Sequence, residues 1–273
     1  MSVPLLQAAR LPMVSLALGM VLLAAMTATG ASTTTLAIAA ASVVMFAACW
    51  ANAARLLGSA NALRFVVIAV GAGWFAEQMG STHGWFFGDY HYTDVLGPRL
   101  GDVPFVIPLM WFALTYIGFV MANLIVWHAP LDGARGLGPA VLLSFLAAMI
   151  VTAFDLGADP YFVFVLKAWI MVKTDGAWFG ETVQGLLGWM FVAFVIVAVF
   201  RLLARPPAAR TAGAFTARHA LLPLGMYASG MVFQMIYGHP VEIRSIAPFA
   251  MGIPLVCAWA GLQRWRTTGG VAA

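Results

Sequence analysis

Residues Val103–Trp127 read VPFVIPLMWFALTYIGFVMANLIVW, twenty-five residues without one charged side chain. A helix of about 20 apolar residues crosses the hydrocarbon core of a bilayer, and this run is long enough. Its apolar residues are continuous rather than alternating, which selects a helix over the strand of a membrane barrel. Seven further runs lie around it: Leu11–Thr29, Leu36–Leu57, Ala62–Met79, Gly138–Phe154, Thr182–Leu203, Ala220–Tyr237 and Ile246–Trp265. The whole chain agrees with them. It is 63% hydrophobic and only 9% charged, where a soluble domain carries about 25%, and its mean hydropathy is +0.93. The expected fold is all-α: a polytopic integral membrane protein of about eight transmembrane helices, forming one transmembrane domain over residues 1–273. Arg10 precedes the first run and small residues follow it near Ala28, as in a signal peptide. Its apolar part is longer than a usual signal core, so it reads as a helix that stays.

The basic residues orient the bundle. With eight spans, Arg10, Arg55, Arg64, Arg135, Arg201, Arg205, Arg210, Arg218, Arg264 and Arg266 share the side of the termini, and Arg99, Lys167, Lys173 and Arg244 lie opposite. The positive-inside rule then places both termini in the cytoplasm, in a cell membrane of the bacterial inner-membrane type. The net charge of +4 is this inner-face bias and calls for no nucleic-acid partner. The basic linker Arg201–Arg218 reads as a cytosolic loop. Cys49 and Cys257 both fall within spans and form no metal-binding or disulfide pattern.

Ten residues are acidic, and nine of them fall in three places. Glu77, Asp89, Asp94 and Asp102 form one group, Asp155, Asp159, Asp175 and Glu181 a second, and Glu242 stands in a third, with Asp132 alone. All nine map to or near the outer face. Ionisable groups at membrane depth are costly, so such a cluster marks a functional site by default. Glu77 sits in the last turn of the third span, where the helix dipole disfavours an anion, so a partner for it is expected. The segment Gly80–Asp102 is too polar to cross the bilayer and too aromatic for a solvated linker. Its Trp and Phe residues suit an interfacial belt. The hexapeptide Asp89-Tyr90-His91-Tyr92-Thr93-Asp94 carries two carboxyls and a histidine that a belt does not need. Asp155 and Asp159 are four residues apart and share one face of a helix. Either they form a proton-sharing pair, or Asp155 caps the span and Asp159-Pro160 stops it. Tyr161–Val172, too short to span, reads as an interfacial or re-entrant helix around Lys167. Tyr237–Arg244 reads mainly as a connecting loop.

Several chemistries lack their motifs. There is no phosphate-binding glycine loop, no zinc spacing, no nucleophile elbow and no histidine box. Acid/base chemistry in an aromatic, apolar pocket is what these residues support.

The run FGDYHYTDVLGPRLGDVPFVIPLMWF (Phe87–Phe112), with DLGADP (Asp155–Pro160) and GAWFG…LLGW (Gly176–Trp189) following in order, resembles the integral-membrane carotenoid biosynthesis family that includes the CruF-type carotenoid hydratases. The similarity covers roughly Gly73–Trp189 in motif and the flanking spans in hydropathy. It departs from the family pattern at Glu181-Thr182-Val183 and Gln184-Gly185-Leu186. The resemblance implies addition of water to the terminal double bond of a linear carotenoid end group, giving a tertiary alcohol, with no cofactor and no metal. Such a reaction needs a neutral carboxylic acid in an apolar pocket, aromatic faces for a tertiary cation, one controlled water and a base. The candidate catalytic residues are Glu77, His91, Asp155 and Asp159. The candidate substrate-binding residues are Asp89, Tyr90, Tyr92, Trp111 and Trp178. They are expected to line one cavity at the outer boundary, above an apolar slot open to lipid. The expected partners are a lipid-soluble carotenoid, membrane lipid and other enzymes of the same pathway. The same cation without water gives ring closure, so a carotenoid cyclase is the neighbouring reading. A carotenoid-binding scaffold or proton-coupled transporter is the non-enzymatic one; a transporter calls for mid-membrane acids and an internal repeat, and neither is evident.

Overall fold

The computed structural model describes residues 31–131, 136–204 and 215–268. It is 77% helical, and seven of its helical segments are long and apolar enough to cross a membrane. The protein is a polytopic all-α membrane protein. Helix α1 runs Ala31–Leu57, α2 Ser59–His83, α3 Val106–Trp127, α4 Leu137–Pro160, α5 Val183–Leu203 and α6 Ala217–Tyr237. The seventh span, Glu242–Thr267, is built from α7 (Glu242–Ala250) and α8 (Gly252–Thr267). Pro254, in the first turn of α8, has no N–H for the Ala250 carbonyl, and the helix breaks at Met251. These seven are the last seven runs expected from sequence. The first, Leu11–Thr29, lies outside the described residues.

Helix α3 is the axis of the bundle. In its most apolar window 78% of residues are buried, against 17–33% in the other spans. A helix apolar on every side belongs in the interior, and α3 packs against α1, α2, α4 and α8. Small residues set the spacing, as expected where lipid supplies no hydrophobic drive between helices. A Cβ on Gly118 would stand 2.8 Å from the Ala147 carbonyl oxygen of α4, and one on Gly261 of α8 would overlap the Leu124 carbonyl of α3. The large exposed residues, such as Leu63, Val67, Leu142 and Val256, are the faces turned to lipid.

The segments at the acidic end knit into a cap. Strand β1 (Tyr90–Tyr92) pairs antiparallel with a strand after α4, Trp169–Met171, while Arg99–Leu100 (β2) and Val103–Pro104 (β3) form a small hairpin. In chain order Trp169–Met171 is β4. Thr93 N donates to the Ala168 carbonyl at 3.0 Å and Val172 N to the Asp89 carbonyl at 2.9 Å, extending the β1–β4 contact at both ends.

Two local expectations are corrected. Pro160 does not stop α4. It is itself helical (φ −57°, ψ −34°) and a wider turn continues through Tyr161–Val165. Pro160 has no N–H for the Leu156 carbonyl four residues back; the Trp178 indole N–H donates to that carbonyl instead, at 2.7 Å. The rest of the segment read as an interfacial helix, Tyr161–Val172, is extended in β4. Pairing with β1 satisfies its backbone where a second helix would have left β1 with an open edge.

Candidate active site

Glu77 is carried by α2, six residues before the helix ends at His83, and is buried. Three neutral donors converge on its carboxyl. The Tyr90 and Tyr92 hydroxyls donate to Oε2 at 2.5 and 2.6 Å, and the Trp111 indole N–H donates to Oε1 at 2.9 Å. Glu77 therefore lies more than a turn before the end of α2 rather than in its last turn, and its partners are a cage of two phenols and an indole rather than a cation. Strand geometry makes this possible. Alternate residues face opposite sides, so Tyr90 and Tyr92 turn inward from β1 and His91 between them turns out. Burial, and then the nearby Glu77 carboxyl, holds both phenols well above their ordinary pKa, so they remain neutral donors.

Helix α4 contributes Asp155 and Asp159, both buried and one turn apart as the spacing predicted. Glu181, in the segment leading into α5, is buried beside them. Among the described residues no donor reaches Oδ2 of Asp155 or either oxygen of Glu181. Their charged neighbours are carboxyls: Asp155 faces Glu181 and Glu77, and Asp159 faces Asp155, Glu181 and Glu77. The ion pair found among the described residues, Arg99–Asp94 at 2.8 Å, lies at the surface. Among those residues no group of three or more His, Cys, Asp or Glu side chains is arranged to hold a metal ion.

Between the Glu77 cage and the α4 carboxyls lies a cavity of about 30 Å³, room for one or two water molecules. Glu77, Asp159, Tyr90, Tyr92, Trp169 and Trp189 are among its lining residues. Aromatic rings wall it. Trp111 stacks on Trp189 with centroids 4.4 Å apart, Tyr92 meets Trp169 edge-on at 5.9 Å, and Phe87 lies 6.2 Å from Trp111. Gly73 of α2 admits the Trp111 indole, since a Cβ there would stand 2.6 Å from its ring. We expect Gly73→Ala to push the indole off Glu77 and to lower unfolding stability by about 1–3 kcal/mol. Denaturation monitored by tryptophan fluorescence measures this; an unchanged midpoint and spectrum overturn it.

The sequence-derived candidates divide. Glu77, Tyr90, Tyr92 and Asp159 line the cavity, Trp111 reaches it through its hydrogen bond to Glu77, and Asp155 interacts with Asp159 without lining it. His91 and Asp89 are exposed and do not line the cavity, because β1 alternation and the Gly88 turn aim them outward. Trp178 holds the Leu156 carbonyl and does not line the cavity. Glu181, Phe87, Trp169 and Trp189 were not among the candidates. Glu181 alone had a legible signal, being one of ten acids in so apolar a chain. The aromatic residues are indistinguishable in sequence from a headgroup belt.

A helical membrane bundle with buried carboxyls and stacked aromatics at one end is an arrangement that can do acid/base work on an apolar molecule. The chain belongs to the family of carotenoid biosynthesis proteins, whose model matches residues 32–258, in keeping with the CruF-type resemblance. It is 32% identical over 126 residues to the bisanhydrobacterioruberin hydratase of Haloarcula japonica, a match covering 45% of this chain and 39% of that protein. No solved structure matches.

Proposed function

We propose that the protein is a carotenoid hydratase, adding water to the terminal carbon–carbon double bond of a linear (psi) end group to give a tertiary alcohol. The observation that carries this reading is the water-sized cavity held between Glu77 and Asp159 under aromatic rings. The name of the similar Haloarcula japonica protein supports it. Asp159 is the proton donor: its carboxyl faces other carboxyls, and facing carboxyls hydrogen-bond only when one keeps a proton. Its proton goes to the alkene carbon that leaves a tertiary cation. The faces of Trp189 and the tyrosines stabilise that cation without capturing it. A cavity water attacks the cation, and Glu77 takes the proton that water releases. Water bound to a carbocation is a strong acid, so a carboxylate already accepting three hydrogen bonds is basic enough. Tyr90, Tyr92 and Trp111 fix the Glu77 oxygens toward the reacting carbon, so no solvent must reorganise during the reaction. Because the cavity holds water and no more, entry of an end group from lipid requires the Phe87 and Trp189 rings to move aside.

Expression in a lycopene-making host, with pigments separated by chromatography and weighed by mass spectrometry, tests the reading. A product heavier by one water is expected. An isomer of unchanged mass supports the cyclase instead, and unaltered pigment sinks both.

We also place both termini in the cytoplasm, on the basic bias of that end of the bundle. With the exposed Cys257 replaced by serine, an impermeant thiol reagent is expected to label Thr82→Cys from outside intact cells and Thr267→Cys only after lysis. Labelling of both from one side contradicts the orientation.

A further inference from the structure

Glu181 is unlike the other three carboxyls buried among the described residues. Glu77, Asp155 and Asp159 project from spans, whereas Glu181 ends a loop folded over the acidic end. That loop is a tight hairpin: Gly176 and Gly180 exchange backbone hydrogen bonds at 3.1 and 3.2 Å, and Trp178 and Glu181 do so at 3.2 and 2.8 Å. Gly176 permits the fold, because any Cβ there would overlap the Glu181 carbonyl. Glu181 is 1% exposed, and neither carboxyl oxygen meets a donor among the described residues. Burying two unsatisfied acceptors is costly, and a single proton shared with Asp159 relieves the cost. The residue before it, Gly180, lines a separate pocket of about 320 Å³ together with Phe164, Thr174, Phe179, His239 and Pro240. Thr174 and His239 are exposed, so this pocket opens at the surface of the acidic end, one residue from Glu181.

From this juxtaposition we propose that Glu181 is a proton-positioning residue, sharing one proton with Asp159 and renewing it from water in the outer pocket. The inference rests on the hydratase reading for its purpose. In each turnover the shared proton leaves from Asp159 to the alkene carbon, a proton from outer water replaces it on Glu181, and the pair shares that proton again. The proton released by the attacking water is taken by Glu77 and leaves through cavity water. One proton enters and one leaves, so the sum is alkene plus water. The titratable groups that act on Glu181 are Asp155 and Asp159 of α4; Glu77 of α2 acts on both aspartates and Tyr90 of β1 on Asp159, and no cation pairs with them among the described residues. Burial raises the Glu181 carboxyl above the ordinary glutamate range, partly offset by its contact with Asp159. Its protonated form is therefore present below that raised value and lost as pH climbs through it.

The test is infrared titration of protonated-carboxyl absorption in the full chain reconstituted in lipid nanodiscs, which needs no substrate. Wild type is expected to keep such a band near neutral pH, assigned to the pair by its loss in Asp159→Asn. Glu181→Gln, which preserves shape, is expected to shift the midpoint of that band by about one pH unit or more, a tenfold change in proton affinity. Glu181→Asp is expected to restore most of the wild-type titration. A Glu181→Gln protein that titrates as wild type, or a wild type without the band, overturns the proposal whatever pigments the cells make. Failure of the pigment assay alone removes the hydratase reading and leaves the shared proton standing.

Discussion

Glu77→Gln is expected to lower product formation by about a thousandfold to ten-thousandfold, the upper range for loss of acid/base help. The amide is nearly isosteric, but it replaces one acceptor oxygen by an NH₂. If that group takes the Oε2 place it meets two phenol donors, and if it takes the Oε1 place it meets the Trp111 N–H. Only the second placement sets donor against donor, at a cost of about 1–3 kcal/mol; in the first the phenol hydroxyls must reverse to accept from the NH₂, which turns their protons away from the carboxyl site. The variant therefore loses both the base and the alignment of the cage, while the seven-span bundle keeps it inserted. Pigment yield per unit of membrane protein measures the effect, with circular dichroism to verify the fold. Water addition within about tenfold of wild type would remove Glu77 from the chemistry.

The second large effect is expected at the α4 carboxyls. Asp159→Asn removes the proton donor from the cavity wall and is expected to cost about a hundredfold to ten-thousandfold. Asp155→Asn is expected to lose activity as well, because its carboxyl faces Glu181 and Glu77 and tunes the group that holds the proton. Both asparagines keep the helical spacing, so membrane insertion should not change. Glu242→Gln is the contrast. Glu242 is exposed in the first turn of α7, away from the cavity, and its replacement is expected to leave product near wild type. A Glu242 variant as damaged as the Asp159 variant would mean that loss of negative charge, rather than loss of a donor, governs the rate.

The spans were legible in the sequence because a bilayer tests each stretch of chain separately. Twenty-five uncharged residues at Val103–Trp127 must cross, whatever their neighbours do. The acidic end was legible for a similar reason. With so few carboxyls, each one near a span boundary is costly enough to suggest a role, which singled out Glu77, Asp155 and Asp159; Tyr90 and Tyr92 came with the polar hexapeptide and Trp111 with the family resemblance. Even the one-turn spacing of the α4 pair followed from helical period alone.

What the sequence could not decide was direction and partnership. His91 stands between two site tyrosines and looks as reactive as either. Only the pairing of Tyr90–Tyr92 with Trp169–Met171 shows that β1 is a strand, and a period of two then sends His91 outward. Pro160 looks like a helix stop until Trp178, eighteen residues on, supplies the hydrogen bond that proline cannot. Glu181 looks like a loop charge until the hairpin from Gly176 buries it against Asp159. Each of these outcomes depends on contacts between residues far apart in the chain. Span formation is local and additive, whereas the facing of a side chain is settled by whichever distant group can satisfy it, and that is a property of the tertiary structure.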